Sequence, residues 1–192
     1  MATSAVTNSA PIGVENLVYA VMVDEVLKTY GTVTPVSPLI NIKITPKSNS
    51  DTLYGNNRPV ERVSSVGDID VEFETQDLPL EVQAVMLGHK LDPVTGVMAY
   101  NLGDIAPYVA LGFKVKKGNF HYKYVWLLKG NFEELSEEYA TQEDKSKFST
   151  PKLKGGFMAR KDGNWKFSAD QDCGTTPVTD SYLATVFDKA TV

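Results

Sequence analysis

Cysteine is nearly missing from this sequence. Cys173 is the only one in 192 residues, so neither an intramolecular disulfide nor a thiolate metal cluster can be built. It sits in the polar stretch Gln171–Asp172–Cys173–Gly174, with no helix pattern to activate it, and reads as a passive thiol. Histidine is almost as scarce. His89 and His121 have no Ser, Cys or Asp partner at a recognisable motif spacing and read as structural or surface residues. Excess positive charge is lacking as well. The net charge is −5 and the sequence pI about 5.1, which gives no electrostatic drive toward phosphates and disfavours a DNA-binding role. No apolar run approaches the ~18 residues needed to span a bilayer. The opening MATSAVTNSAPIG has neither a basic region nor an apolar core, so no signal peptide is expected. Gly55 and Gly155–Gly156 make no phosphate loop, because no Gly-rich turn leads from a strand into a helix ending in Lys–Ser/Thr. These absences exclude the common cofactor, metal and membrane classes. They leave the expectation of a soluble protein folded in a reducing cytoplasm.

What is present is period-two alternation, the mark of half-buried antiparallel strands. Residues 14–23 (VENLVYAVMV) read as a first strand. In 39–45, after Leu39, Ile40, Ile42 and Ile44 lie on one face, with Asn41, Lys43 and Thr45 on the other. The clearest strand is VGDIDVEFE at 66–74, with Ile69, Val71 and Phe73 facing one way and Asp68, Asp70, Glu72 and Glu74 the other. Between these two strands, residues 46–65 lack a sustained pattern and read as a long loop or arm of the kind usually retained for function. One helix follows the acidic strand. Asp77 caps it, Pro79 suits its first turn, Gly88 ends it, and Leu80, Ala84 and Leu87 with Val85 form its apolar stripe. A strand beginning at 97–100 follows the turn around Asp92–Gly96. Strands at 107–116 and 119–129 join through Lys117–Gly118, with Phe120, Tyr122, Tyr124 and Trp126 on one face. Residues 131–149 read as a solvated connection or short helix. Residues 152–160 and 164–168 read as a last hairpin around Lys161–Asp162–Gly163. The segment 175–192 is apolar at Tyr182, Leu183, Val186 and Phe187. With no repeat and no domain boundary, the expectation is one mainly-β domain over 1–192, a sandwich or small barrel of two packed antiparallel sheets with one flanking helix.

The residues that invite a chemical role carry plainer readings. The stripe Asp68, Asp70, Glu72, Glu74 offers paired carboxylates, as glycoside hydrolysis requires, and i, i+2 side chains on a strand stand roughly 7 Å apart. Four acids on an otherwise regular strand are more simply a solvated sheet face. Calcium is usually bound by loop carboxylates with carbonyl help, so a metal site is not expected. The aromatic face at 120–126 could stack bases, but without a basic surface it reads as sandwich core. No enzyme, cofactor or metal is expected from these residues.

Six stretches, in order, resemble the major tail protein (tail tube protein) family of long-tailed bacteriophages of Gram-positive hosts. They are PKSNSDTLYGNNRPVE at 46–61, LPLEVQAVMLGH at 78–89, PYVALGF at 107–113, YKYVWLLKGNF at 122–132, KFSTPKLKGGF at 147–157 and DGNWKF…D at 162–170. The resemblance implies a structural virion protein of two packed β-sheets and one helix. Its subunits would close into hexameric rings that stack into the tube through which the genome is ejected. The implied partners are further copies of the chain and the tape measure, tail-tip and tail terminator proteins. Double-stranded DNA would pass without specific binding, and no membrane is involved. The implied locations are the virion tail and, during assembly, the host cytoplasm. Leu53, Tyr54, Asn56 and Arg58 would belong to an inter-subunit arm, and Asp68, Asp70, Glu72 and Glu74 would face the lumen. Tyr182, Leu183, Val186 and Phe187 would make inter-ring contacts or form a final strand of their own domain. Two alternatives stay open: the inner tube of a contractile tail or secretion machine, and a monomeric β-sandwich binding module.

Overall fold

The computed structural model describes residues 9–136, 150–173 and 178–188. Its strands are β1 (Pro11–Asp24), β2 (Thr29–Tyr30), β3 (Thr34–Pro35), β4 (Leu39–Gly55), β5 (Arg58–Thr75), β6 (Lys90–Leu91), β7 (Met98–Ala99), β8 (Val109–Lys117), β9 (Tyr122–Phe132), β10 (Lys152–Phe157) and β11 (Lys166–Asp170), and its helix is α1 (Leu80–Leu87). Nine strands form one antiparallel sheet in the order β2-β1-β8-β9-β10-β5-β4, with β3 added to β1 and β11 to β9, while β6 and β7 pair separately. The sheet folds back on itself at β9. One edge of that strand pairs with β8; the other pairs with β11 through Lys123–Leu127 and with β10 through Gly130–Phe132. The two leaves face each other, which is the expected mainly-β, sandwich-like class with one helix.

Alternation decides what lies between the leaves. Ile69, Val71 and Phe73 of β5 and Leu153 and Phe157 of β10 meet Leu17 and Tyr19 of β1, Leu111 and Phe113 of β8, and Val125 and Leu127 of β9, all buried. Full burial of each such side chain is worth about 1.5–3 kcal/mol. The opposite face of β8 and β9 is buried too. Ala110, Tyr124, Trp126 and Leu128 lie beneath the C-terminal segment, with Leu183 buried against them. That segment is a 3-10 turn, Asp180–Leu183, and not a final strand.

Several expected features differ for local reasons. Residues 46–65 are not a loop: β4 and β5 run on as a long two-stranded hairpin. A register shift between Leu39 and Asn41 turns Ile40 outward, so Leu39, Ile42 and Ile44 pack on the core instead of the set with Ile40. The helix buries Val82 and Met86, a turn apart below the buried Leu78, together with the expected Ala84 and Leu87, whereas Leu80 and Val85 stay exposed. The Asp77 carboxylate accepts the Leu78 N–H at 2.8 Å and does not cap the helix. Pro79 is the N-cap, its carbonyl accepting from Val82 and Gln83. The expected strand at 97–100 shrinks to Met98–Ala99. The last two strands form no hairpin. β10 and β11 lie end to end along one edge of β9 because the chain between them leaves the sheet to bury Arg160. Of the connection read at 131–149, residues 137–149 lie outside the described residues, as do 174–177 and 189–192 of the C-terminal stretch.

The packing of neighbouring strands depends on glycine, at the pairs Gly130↔Phe157 and Gly112↔Trp126. A Cβ on Gly130 would stand 2.3 Å from the Phe157 ring, and one on Gly112 would stand 2.8 Å from Trp126. Both rings are fully buried and have nowhere to move. Overpacking of this kind typically costs about 1–3 kcal/mol. Gly130→Ala should therefore lower urea stability by at least that amount. Gly156→Ala, whose Cβ would meet nothing within 4 Å, should stay within ~0.5 kcal/mol. Equal stabilities for the two variants would refute this account of the core.

Candidate functional site

The most distinctive surface is the hairpin that β4 and β5 extend beyond the core. Its tip is a two-residue turn in which Asn56 and Asn57 have φ of 49° and 61° and Gly55 pairs with Arg58. Asparagine tolerates the left-handed region, and a turn with both central residues there matches the right-handed strand twist. Register runs from Ser48↔Val66 to Gly55↔Arg58, about 27 Å of strand at ~3.4 Å per residue. A register shift between Pro46 and Ser48 separates this arm from the part of the hairpin that covers the core. Along the arm the side chains are exposed except half-buried Thr52. Leu53 and Tyr54 are 62% and 67% exposed, and Val60, Val63 and Val66 are also open to solvent. Arg62 donates to the Ser50 hydroxyl at 3.4 Å; Asn56 and Arg58 are exposed at the tip. The outer edge of β4 has no strand partner among the described residues. The arm therefore presents apolar side chains and unpaired backbone together, the combination that recruits another chain.

The polar face of β5 is wet as expected, exposed at Asp68 and Asp70 and half-buried at Glu72 and Glu74. It is not an isolated acidic stripe. Across the strand pairs, Glu72 lies between Lys43 and Lys154, and Glu74 lies between Asn41 and Lys152. Lys47 bonds Asp70 at 2.8 Å, which raises the pKa of the lysine. Lys152 is 3.6 Å from Glu74, which also accepts from the Thr150 hydroxyl. Four acids and four lysines, Lys43, Lys47, Lys152 and Lys154, thus cancel in formal charge. The expected acidic face is a neutral mosaic.

The C-terminal residues lie on their own chain. Leu183 is buried and Tyr182 and Val186 half-buried over Trp126, whose Nε1–H donates to the Tyr182 carbonyl at 2.9 Å. Burial pushes the Tyr182 phenol up to about 12. Phe187 stacks on Tyr182 with ring centroids 4.9 Å apart and is 38% exposed. The aromatic face expected at 120–126 is thus covered at Tyr124 and Trp126, while Phe120 stands in the turn with its ring exposed. Cys173 is exposed. Among the described residues no three His, Cys, Asp or Glu side chains are grouped to hold a metal ion.

Sequence spacing missed a set of ion networks. The His89 ring meets Asp104 through Nδ1 at 2.8 Å and Glu134 through Nε2 at 3.1 Å, with its side chain 1% exposed. His121 meets Asp172, which with Asp170 also holds Lys117. Arg160 holds Asp162 and Asp188 at 2.8 and 2.9 Å. Partners 15, 45 or 28 residues apart leave no local signature. The hydrogen bonds of both imidazoles go to carboxylates. Those contacts hold loops in place.

The bond to Asp104 raises the His89 pKa, helped by Glu134 and opposed by burial; the Asp104 carboxyl is held low chiefly by the same bond. A neutral ring has one N–H and would turn a lone pair toward the second carboxylate. A histidine whose folded pKa is raised contributes stability fully below its unfolded value near 6.5. That contribution disappears as pH rises through the folded value. The stability difference between wild type and His89→Gln should therefore be greater at pH 6 than at pH 9 in paired urea titrations. A difference that does not change over this range would show that the charged ring contributes nothing.

No protein-family model matches this chain, and no curated protein matches it either.

Proposed function

We propose that the chain is a structural subunit of a phage tail tube that assembles with copies of itself and carries out no catalysis. The observation that carries this reading is the arm: about 27 Å of strand with Leu53, Tyr54, Val60 and Val63 uncovered, beside the free edge of β4. A monomer gains nothing from such a surface, and a ring that pairs edges between subunits removes the liability. The family resemblance of the six sequence stretches points the same way. In that setting hexameric rings stack into a conduit, with the tape measure, tail-tip and terminator proteins as further partners and the virion tail as the location. The inner tube of a contractile machine would use the same surfaces. The monomeric binding module is less well supported, because Tyr124 and Trp126 lie under the C-terminal segment instead of facing a ligand.

A lumen wall formed by the polar face of β5 would be a mosaic. Duplex DNA carries about one negative charge per 1.7 Å of axis. A wall of lysines alone would release counterions and hold DNA at every ring. Here the carboxylates interleaved with Lys43, Lys47, Lys152 and Lys154 compete for those ammonium groups. The DNA can slide past without being held by the wall.

Replacing residues 49–65 by Asn–Gly would close the hairpin between Ser48 and Val66 with a favoured two-residue turn. Since the removed side chains are almost all exposed, the urea midpoint should move by less than ~1 kcal/mol equivalent. Rings and tubes of the full-length protein, seen by negative-stain electron microscopy at high concentration, should be lost. Tubes formed normally by the shortened chain would refute the role given to the arm. A full-length chain that stays monomeric at millimolar concentration would refute the tube reading itself.

A further inference from the structure

A groove of about 690 Å³ opens beside β1, between that strand, the chain leading into β4 and the 3-10 turn. Its floor is apolar, formed by buried Leu17, Val36 and Leu183. Its rim carries Glu15 and Asp180. Lys114 is the cation that meets both, and it divides itself unequally. Its ammonium is 3.2 Å from Asp180, which also accepts from the Tyr124 hydroxyl at 2.9 Å, and 3.8 Å from Glu15. Asp180 is well bonded; Glu15 is left with the longer contact and one carboxylate in excess. The strand edge here is open as well. A register shift after Glu15, with Asn16 at φ 52°, interrupts β1, and β3 pairs with β1 only at Val18 and Tyr19. Among the described residues no strand pairs with Pro11–Asn16 on the side away from β8.

The groove thus fits an extended segment that is apolar and cationic at once. The exposed apolar segments of this chain differ in that respect. The turn with Val23, Val26 and Leu27 carries Asp24 and Glu25 against Lys28, and the loop with Leu102 and Ile105 carries Asp104. Phe120, although beside Lys116, sits in a tight turn closed by the Phe120 N–H to the Lys117 carbonyl and offers no extended segment. The arm tip has Arg58 and Arg62 beside Tyr54 and Val60, with Glu61 its one acid, so residues 54–62 carry a net charge of +1. We propose that the groove receives the hairpin tip of a second copy, with Tyr54 on the apolar floor and Arg58 paired with Glu15. This inference rests on the self-assembly reading and gives it an address. Tip and groove are different surfaces of one chain, so the contact is head-to-tail and either closes into a ring or runs on as a filament. Backbone bonds to the open edge of β1 supply affinity, and the charge pair sets register.

The test places the photo-crosslinker p-benzoylphenylalanine at position 54 of the full chain and mixes that variant with an isotope-labelled wild-type copy, so that mass spectrometry separates bonds between copies from bonds within one. The expected crosslinks join position 54 to residues 14–18 or 35–39 of the other copy. Arg58→Glu should reduce their yield at least about tenfold, Glu15→Gln should reduce it similarly, and Arg58→Lys should keep most of it. Arg58 lies on an arm outside the core, so its variants fold and keep the test decisive. Crosslinks mapped elsewhere, or none up to millimolar protein, overturn the proposal. Tubes with crosslinks elsewhere would leave the tube reading standing and remove this contact. Groove crosslinks in small oligomers that never form tubes would keep the contact and remove the tube.

Discussion

The structure depends on a single strand whose two faces and two edges are all in use. β9 packs Val125 and Leu127 into the core between the leaves and Tyr124, Trp126 and Leu128 into the cluster beneath the C-terminal segment. Its edges hold β8 on one side and β11 then β10 on the other. A strand buried on both faces loses alternation and reads as a continuous apolar run, as YVWLL does here. The glycines follow from the same constraint. Gly112 makes room for the Trp126 ring and Gly130 for Phe157, which lets each large ring lie across the strand paired beside it. Interiors are packed as densely as organic crystals, so even one methyl at these positions has no place to go.

Around this strand, buried cations hold the outer pieces. Lys114 ties the turn at Asp180, Lys117 the end of β11 at Asp170, Lys129 the β1–β2 turn at Glu25, and Arg160 the C-terminal segment at Asp188. Their ammonium and guanidinium groups are about one-tenth exposed or less. Removing two charges from water costs several kcal/mol per ion, so such pairs contribute little net stability. Removing one partner leaves the other charge stranded, which is far more costly. The pairs therefore fix where each loop lies more than how strongly the domain holds together. For the groove this matters directly: Asp180 is held in place by Lys114 and Tyr124, and so the rim keeps its shape.

How much was legible in the sequence follows from which segments have one wet face. VGDIDVEFE was readable because burial on a single side imposes period two, and Ile69, Val71 and Phe73 are buried as that pattern requires. The arm was unreadable as strand for the opposite reason. Both of its faces are exposed, so nothing imposes alternation, and its real signal was the Asn56–Asn57 turn. The helix LEVQAVML is apolar nearly all round, so a short window cannot fix which stripe faces inward; Val82 and Met86 do, and Val85 does not. The shift near Ile40 and the break between β10 and β11 come from tertiary context. Arg160, whose partners include Tyr30 and Asp188, shows no local sign of burial. For the candidate site, composition revealed the acids of β5 but not their lysines on β4 and β10, which register alone brings beside them.

The separation of arm from core would let one chain fold alone and still assemble as proposed. The core residues lie on strand positions between Leu39 and Pro46 and between Ile69 and Thr75, whereas the arm beyond the register shift adds almost no burial. Its side chains therefore contribute hardly at all to the stability of the subunit and are left free for the partner surface proposed for them. A flat hairpin exposed on both faces is weakly specified in register, and the Asn56–Asn57 turn supplies the missing constraint from the tip. Turn geometry fixes pairing at Gly55↔Arg58 and Tyr54↔Pro59, and after a one-residue shift at Leu53↔Glu61 pairing continues to Ser48↔Val66. Tyr54 and Arg58, on either side of that turn, are thereby held at a set spacing before any partner arrives. A preorganised tip loses less conformational entropy on docking than a flexible loop would. That is the physical advantage of a hairpin over the loop that its composition suggests.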